Sequence, residues 1–241
     1  MKIEPVKSYE ELSLKAKDYI LKAIEEKKDL LLCAATGNSP TGTYQLLAGD
    51  FQKNPQLFSG LRVIKLDEWG EVPMDEQGTC EAYLQKHLIQ PLKIPGKRYI
   101  GFNSDPEDPV EECKAIREKL EKEGPIDLCI LGLGSNGHLA LNEPAEFLQP
   151  HCHVAELTPS SQKHIMTKKM KKKPAYGLTL GMADIIYSKK ILMLISGSQK
   201  REIVKQFLTR KINTDLPASF LWLHPNVTCL IDRETVGPLS E

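Results

Sequence analysis

The chain has 241 residues and carries 32 Lys and Arg against 32 Asp and Glu, a formal net charge of zero. At 41% hydrophobic and 27% charged residues it has the make-up of a globular protein long enough to bury a substantial core. Balanced charge excludes binding to nucleic acid by bulk electrostatics, so any basic site must be local. The start, MKIEPVKSYEELS, lacks an apolar segment of signal-peptide length, and the runs LLLCAA and ILMLI are too short to span a bilayer. A cytoplasmic protein without membrane or nucleic-acid partners is expected. Six cysteines (Cys33, Cys80, Cys113, Cys129, Cys152 and Cys229) are scattered without a CxxC pair and are expected to be reduced.

Ser8 and Glu11 have capping-box spacing ahead of a segment in which Leu12, Ala16, Ile20 and Ile24 recur at helical intervals, which predicts an N-terminal helix. Apolar runs at 30–35, 61–66, 126–131, 190–195 and 227–231 lack alternation and predict strands buried on both faces of a parallel sheet. Helix-like stretches at 40–47, 81–89, 109–123 and 199–209 fall between them. The alternation predicts a single α/β domain over residues 1–241, with a doubly wound, mostly parallel sheet and helices on both faces. In that architecture ligands bind beyond the carboxyl ends of the strands. A buried-looking helix at 217–223 suits a core or an interface equally.

Four strand ends carry candidate chemistry. In Thr36-Gly37-Asn38-Ser39-Pro40, Gly37 permits a sharp turn and Ser39 can cap a helix starting at Pro40. Free N–H groups there, with the Thr36 and Ser39 hydroxyls, offer a cradle for phosphate. Taken alone the pattern is first of all a capped turn, and it is neither a Walker loop nor GxGxxG. Asp67 and Glu68 can ligate a metal, act as general bases or begin a turn, and strand alternation turns only one of them into the cleft. Gly132, Gly134 and Gly137 allow close backbone approach to a ligand, and His138 with Glu143 forms a candidate acid/base pair.

The fourth strand end, Ser196-Gly197-Ser198-Gln199-Lys200, sets a cation near a helix start, against the helix dipole. An anionic ligand explains it, as does a surface lysine. His151-Cys152-His153 supplies too few ligands on one face for a metal and reads as a strand entry. The lysines at 168, 169 and 171–173 form either a solvated loop or a rim that draws an anion.

Through LDEWG, GLGSNGHLALNEP and GSQK, with TGNSP upstream, the chain resembles the glucosamine-6-phosphate deaminase/isomerase family over nearly its whole length. KLDEW, GTCEAYLQKH, LGLGSNGH, LQPHCH and PASFLWLH are most similar to its galactosamine-6-phosphate branch. The related 6-phosphogluconolactonases follow their Gly-His with a TASLFP-like run, where this chain has Leu-Ala-Leu-Asn-Glu-Pro.

The resemblance implies conversion of galactosamine 6-phosphate to tagatose 6-phosphate and ammonium. Behind it stand the same chemistry on glucosamine 6-phosphate, then lactone hydrolysis or a sugar-phosphate sensor, the last needing a DNA-binding module for which the chain has no room. It implies that His138, oriented by Glu143, opens the sugar ring and that Asp67 carries the proton from C2 to C1. Thr36, Gly37, Asn38, Ser39 and Lys200 would hold the phosphate, with Lys168 as a further cation, and neither metal nor organic cofactor is needed.

Asn136 stands where the glucosamine-type sequences have Asp, which leaves His138 more dependent on Glu143. Glu146, Phe147, His153 and Ala155 stand at positions where allosteric relatives hold an effector phosphate, so no such activation is implied. Trp69 and Trp222 are candidate readers of C4. A homo-oligomer is as compatible with the resemblance as a monomer.

Overall fold

In the computed structural model, which describes residues 1–162, 165–168 and 170–236, the chain opens with β1 (Lys2–Val6) and α1 (Tyr9–Glu26). Ser8 caps α1 by accepting from Glu11 N, and Leu12, Ala16, Ile20 and Ile24 form its buried stripe. Next come β2 (Leu31–Ala34), α2 (Asn38–Lys53), β3 (Arg62–Lys65), β4 (Asp67–Gly70), α3 (Cys80–Leu84), β5 (Tyr99–Ile100), α4 (Pro109–Glu123) and β6 (Leu128–Gly132). The remainder comprises β7 (His153–Ala155), α5 (Pro159–Gln162), α6 (Ile165–Lys168), β8 (Tyr176–Thr179), α7 (Met182–Ile186), β9 (Lys190–Ile195), α8 (Arg201–Leu208), β10 (Val227–Asp232) and α9 (Arg233–Val236).

Seven strands pair in the order β1-β10-β9-β6-β2-β3-β5, all parallel, and helices cover both faces of the sheet. Every residue of β2 is buried, as are Leu128 to Leu131 and Ile191 to Ile195, which is why these strands read as unbroken apolar runs. Cys33 of β2, Cys129 of β6 and Cys229 of β10 are fully buried.

Helix boundaries moved where local chemistry was subtler than periodicity. α2 starts at Asn38 rather than Pro40, with Gly37 at φ 99° as its cap, so Ser39 lies inside the helix and does not cap it. The stretch 81–89 divides into α3 and a π-helical turn, Gln85–Ile89. A 3-10 turn, Ser198–Lys200, precedes α8, and Pro217–Leu223 is also 3-10.

A second sheet was not foreseen. After Lys65 the chain leaves the parallel sheet, and β4 pairs antiparallel with β8, which pairs with β7. Gly70 faces Tyr176 so closely that a Cβ there would sit 2.0 Å from the ring. This small sheet has its own apolar cluster, which includes Trp69, Val72, Cys80, Leu141 and Met166.

A buried ion-pair network fixes the crossing point. Lys65 Nζ donates to Glu68 Oε2, Glu81 Oε2 and Phe102 O, each at 2.8 Å. Glu68 in turn accepts from Cys80 N at 2.8 Å and Glu81 N at 2.7 Å, which clamps the start of α3 to β4. All three donor positions of the ammonium are used, as a charge in a dry interior requires.

Candidate active site

A cavity of about 570 Å³ opens beyond the carboxyl ends of β2, β3, β6 and β9. β2 and β6 lie side by side although the chain passes through β3 and β5 between them, so the strand order reverses here, where such sheets open a crevice. Thr36, Gly37, Asn38, Ser39, Asp67, His138, Lys168 and Lys200 all line the cavity.

Asp67 begins β4 and points into the cavity, while Glu68, next along the strand, turns into the buried network. Burial, and then the neighbouring Glu68 carboxylate, push the Asp67 pKa up to about 6, partly offset by Cys80, His138 and Lys65. Cys80 Sγ lies 3.6 Å from Asp67 Oδ1 and 3.5 Å from Thr36 Oγ1. Burial raises the Cys80 thiol pKa well above its usual range, so it faces Asp67 as a neutral donor.

The glycine-rich turn after β6 folds His138 back over Gly134. A Cβ at Gly134 would lie 2.4 Å from His138 Nε2, so only glycine admits the ring there. His138 Nδ1 is 2.7 Å from Asn136 Oδ1, and Asn136 Nδ2 donates to Glu143 Oε2 at 2.7 Å. Glu143 itself is 3.4 Å from His138 Nδ1. Because an ionised carboxylate only accepts, it fixes which end of the Asn136 amide faces it, and the amide oxygen must face the imidazole. The Nδ1 of His138 is therefore the protonated nitrogen of the neutral ring, the tautomer in which Nε2 is the lone pair.

Burial acts to raise the Glu143 pKa, but the donors His138, Ser161 and Asn136 outweigh it and hold it down at about 2. The second oxygen, Oε1, accepts from the Ser161 hydroxyl. Asn136 thus lies between Glu143 and His138 and links the carboxylate to the imidazole it faces at 3.4 Å.

Elsewhere in the lining, Ser39 Oγ is 3.3 Å from Ser196 Oγ and 3.5 Å from Lys200 Nζ. Lys200 belongs to the 3-10 turn before α8, and burial lowers its pKa to about 8 against a small opposing pull from Asp232. Lys168 is an exposed part of the rim. Of the remaining run, Lys172 Nζ pairs with Glu71 at 3.3 Å and Lys173 Nζ donates to Thr167 O at 2.6 Å, while Lys169 lies outside the described residues.

Trp69 lines the cavity, but Trp222 does not: its Nε1 donates to Phe207 O and Arg210 covers its ring. His151 Nδ1 pairs with Asp184 at 2.9 Å, and His153, at the start of β7, sits 2.8 Å from His151 O. Among the described residues no three His, Cys, Asp or Glu side chains converge as metal ligands, and no helix is long and apolar enough to cross a membrane.

Sequence reasoning missed two cavity residues, Cys80 and Ser161. Cys80 sits in GTCEAYLQKH, a stretch already singled out. Ser161 carried no signal, because it is 18 positions from Glu143 and only the fold brings them together.

Known proteins resemble the chain over nearly its whole length. The family described as glucosamine-6-phosphate isomerases/6-phosphogluconolactonase matches residues 5–230. AgaI of Escherichia coli (strain K12), named a candidate deaminase, is 41% identical over 230 residues, covering 95% of this chain and 91% of that protein. A glucosamine-6-phosphate deaminase of Geobacillus sp. (strain WCH70) is 34% identical, covering 98% of this chain and 95% of that protein. Among solved structures, a monomeric glucosamine-6-phosphate deaminase superposes with TM-score 0.93 at 34% identity, covering 98% of each chain. A 6-phosphogluconolactonase of Trypanosoma cruzi shares the fold, with TM-score 0.80 at 22% identity, covering 100% of this chain and 97% of that one.

Proposed function

The chain belongs to the family of glucosamine-6-phosphate isomerases and 6-phosphogluconolactonases, and within it we propose that the protein is an amino-sugar-6-phosphate deaminase/isomerase acting on galactosamine 6-phosphate. One observation carries the reading: a single cavity holds Asp67 and His138 together with the Thr36–Ser39 turn and Lys200. A proton-transfer pair and an anion cradle in one cavity suit a substrate that carries both a phosphate and a reactive carbon.

Phosphate is held by the N–H groups opening α2, the Ser39 hydroxyl and the Lys200 ammonium, with Lys168 at the rim. His138 Nε2 takes the proton from the C1 hydroxyl and returns it to the ring oxygen as the bond between C1 and that oxygen breaks. The C1 aldehyde that results acidifies C2. Asp67, ionised above pH 6, removes the C2 proton as O1 takes a proton from the nitrogen, giving an enolamine, and redelivers the C2 proton to C1, leaving an imine at C2. Water adds to the imine, and ammonium leaves with formation of tagatose 6-phosphate. The aldehyde serves as the electron sink, so none of these steps calls on a cofactor.

The galactosamine preference rests on the branch-like motifs KLDEW, GTCEAYLQKH, LGLGSNGH, LQPHCH and PASFLWLH and on Asn136 in place of Asp. The same chemistry on glucosamine 6-phosphate is the second reading, favoured by the names of the other relatives. Steady-state ammonium release from the two amino sugars, measured side by side, tests both. A larger kcat/KM for galactosamine 6-phosphate supports the proposal, a larger value for glucosamine 6-phosphate replaces it, and turnover of neither removes it.

Glu146 and Phe147 line a second, largely apolar cavity that has no Lys or Arg among its lining residues. This supports a protein that is not activated by an amino-sugar phosphate effector. Kinetics sigmoidal in substrate and hyperbolic with N-acetylglucosamine 6-phosphate would overturn that reading.

A further inference from the structure

The turn between β2 and α2 offers N–H groups to the cavity only if its peptide planes are held in one orientation. In a trans peptide the carbonyl and the following N–H point in opposite directions, so whatever fixes the Gly37 carbonyl also aims Asn38 N–H. The Asn38 carbonyl aims Ser39 N–H in the same way.

Both carbonyls are held by phenols from other elements. Tyr83 of α3 donates to Gly37 O at 2.9 Å, and Thr41 Oγ1 lies 2.8 Å from the same oxygen and 2.7 Å from the Tyr83 hydroxyl. Tyr9, the first residue of α1, donates to Asn38 O at 2.7 Å and accepts from Gly42 N at 2.8 Å. Its hydroxyl thus braces from outside the first-turn pair of α2, Asn38 O and Gly42 N. Gly42 makes room for this, since a Cβ there would meet Ser13 Oγ at 2.5 Å and Tyr9 Cε1 at 3.2 Å.

We propose that Tyr9 and Tyr83 are positioning residues of the anion-binding turn, holding the Gly37 and Asn38 carbonyls outward so that the N–H groups of Asn38 and Ser39 face the substrate phosphate. The inference rests on the reading that this turn holds phosphate. Neither phenol lines the cavity, so both act through the backbone. Without the Tyr9 hydroxyl, the Asn38 carbonyl loses the partner that another element supplies, and the peptide that carries Ser39 N–H is held less firmly in line.

The test measures binding of inorganic phosphate by calorimetry to the full chain and to Tyr9→Phe, Tyr83→Phe and the double variant, alongside steady-state kinetics on the amino sugar that turns over. Each single change is expected to weaken phosphate binding about threefold and the pair about tenfold, the scale of one and two modest hydrogen bonds. KM should rise by the same factors while kcat stays within about twofold, a split that general loss of structure does not produce. Tyr9 is part-exposed, so its Phe variant keeps the fold intact and carries the test alone if Tyr83→Phe unfolds.

Unchanged phosphate affinity in folded Tyr9→Phe, with affinity lost in Lys200→Met, would overturn the positioning role and leave the phosphate reading standing. Equal affinity for phosphate in wild type and Lys200→Met, or none in wild type, would remove the phosphate reading and this proposal with it.

Discussion

Asn136 Oδ1 stands 2.7 Å from His138 Nδ1, closer than the Glu143 carboxylate at 3.4 Å, so a neutral amide is the immediate partner of the imidazole. An amide fixes the tautomer without adding a charge, and Glu143 supplies the charge one residue further out. Asn136→Asp would set a second carboxylate where Nδ2 now donates to Glu143 at 2.7 Å. Carboxylates that close share a proton, so one of the pair is pushed up. The kcat/KM profile of this variant is expected to gain a further acid-side ionisation, belonging to the carboxylate pair, beside the Asp67 limb. Superimposable profiles would mean that position 136 does not feel Glu143.

Asp67 acts as a base only when ionised, and its pKa is raised to about 6. Turnover should therefore fall as pH drops through about 6 and hold above it. Asp67→Asn is expected to abolish ammonium release while sugar-phosphate binding, followed by calorimetry, persists. Normal turnover in the variant would end the base assignment.

Lys200 sets the opposite limb. With its pKa near 8, the ammonium is full below that pH and lost above it. KM for the phosphorylated substrate should climb as pH rises through 8, with kcat little changed. In Lys200→Met, KM should be high at every pH and lose this alkaline dependence, which initial-rate measurements from pH 6.5 to 9.5 would reveal.

Gly134→Ala tests the seat of the catalytic ring. The added methyl would lie 2.4 to 2.5 Å from three atoms of the His138 ring, so the imidazole has to move. A displacement on the order of 1 Å costs roughly a hundredfold in kcat. Wild-type kcat in a folded Gly134→Ala protein would show that the ring is free to adjust.

Lys65 is a matter of stability. Removing it in Lys65→Met leaves Glu68 buried without its cation and is expected to cost about 3–5 kcal/mol in urea unfolding. A much smaller loss would show that the Cys80 and Glu81 amides satisfy that carboxylate by themselves.

The parallel sheet was readable because strands buried on both faces write themselves as apolar runs: Lys190–Ile195 coincides with its predicted range, and Leu31–Ala34 lies within 30–35. β1 escaped notice because it is an edge strand, half-polar and carrying Pro5, which only an edge tolerates. The small sheet escaped because β4 opens with two carboxylates and β8 is only four residues long with a glycine, so pattern alone identified neither.

Site residues that cluster in the chain, such as Asn136, His138 and Glu143, could be grouped from spacing. The relay among them could not, since it depends on which amide atom meets which partner. Ser161 and the phenols of Tyr9 and Tyr83 reach their partners over long chain separations, and local sequence holds no trace of such contacts.

The crossing from the parallel sheet to the small one at Leu66 has a consequence for substrate size. Asp67 rides on the small sheet, whereas the phosphate turn and His138 ride on the large one. On the proposed function, the span between phosphate grip and proton abstraction is a ruler whose two ends belong to different sheets, with Lys65 and Glu68 locking its joint. An amino-sugar phosphate one carbon shorter would reach the grip or the base but not both together, and so would bind as an inhibitor without being turned over.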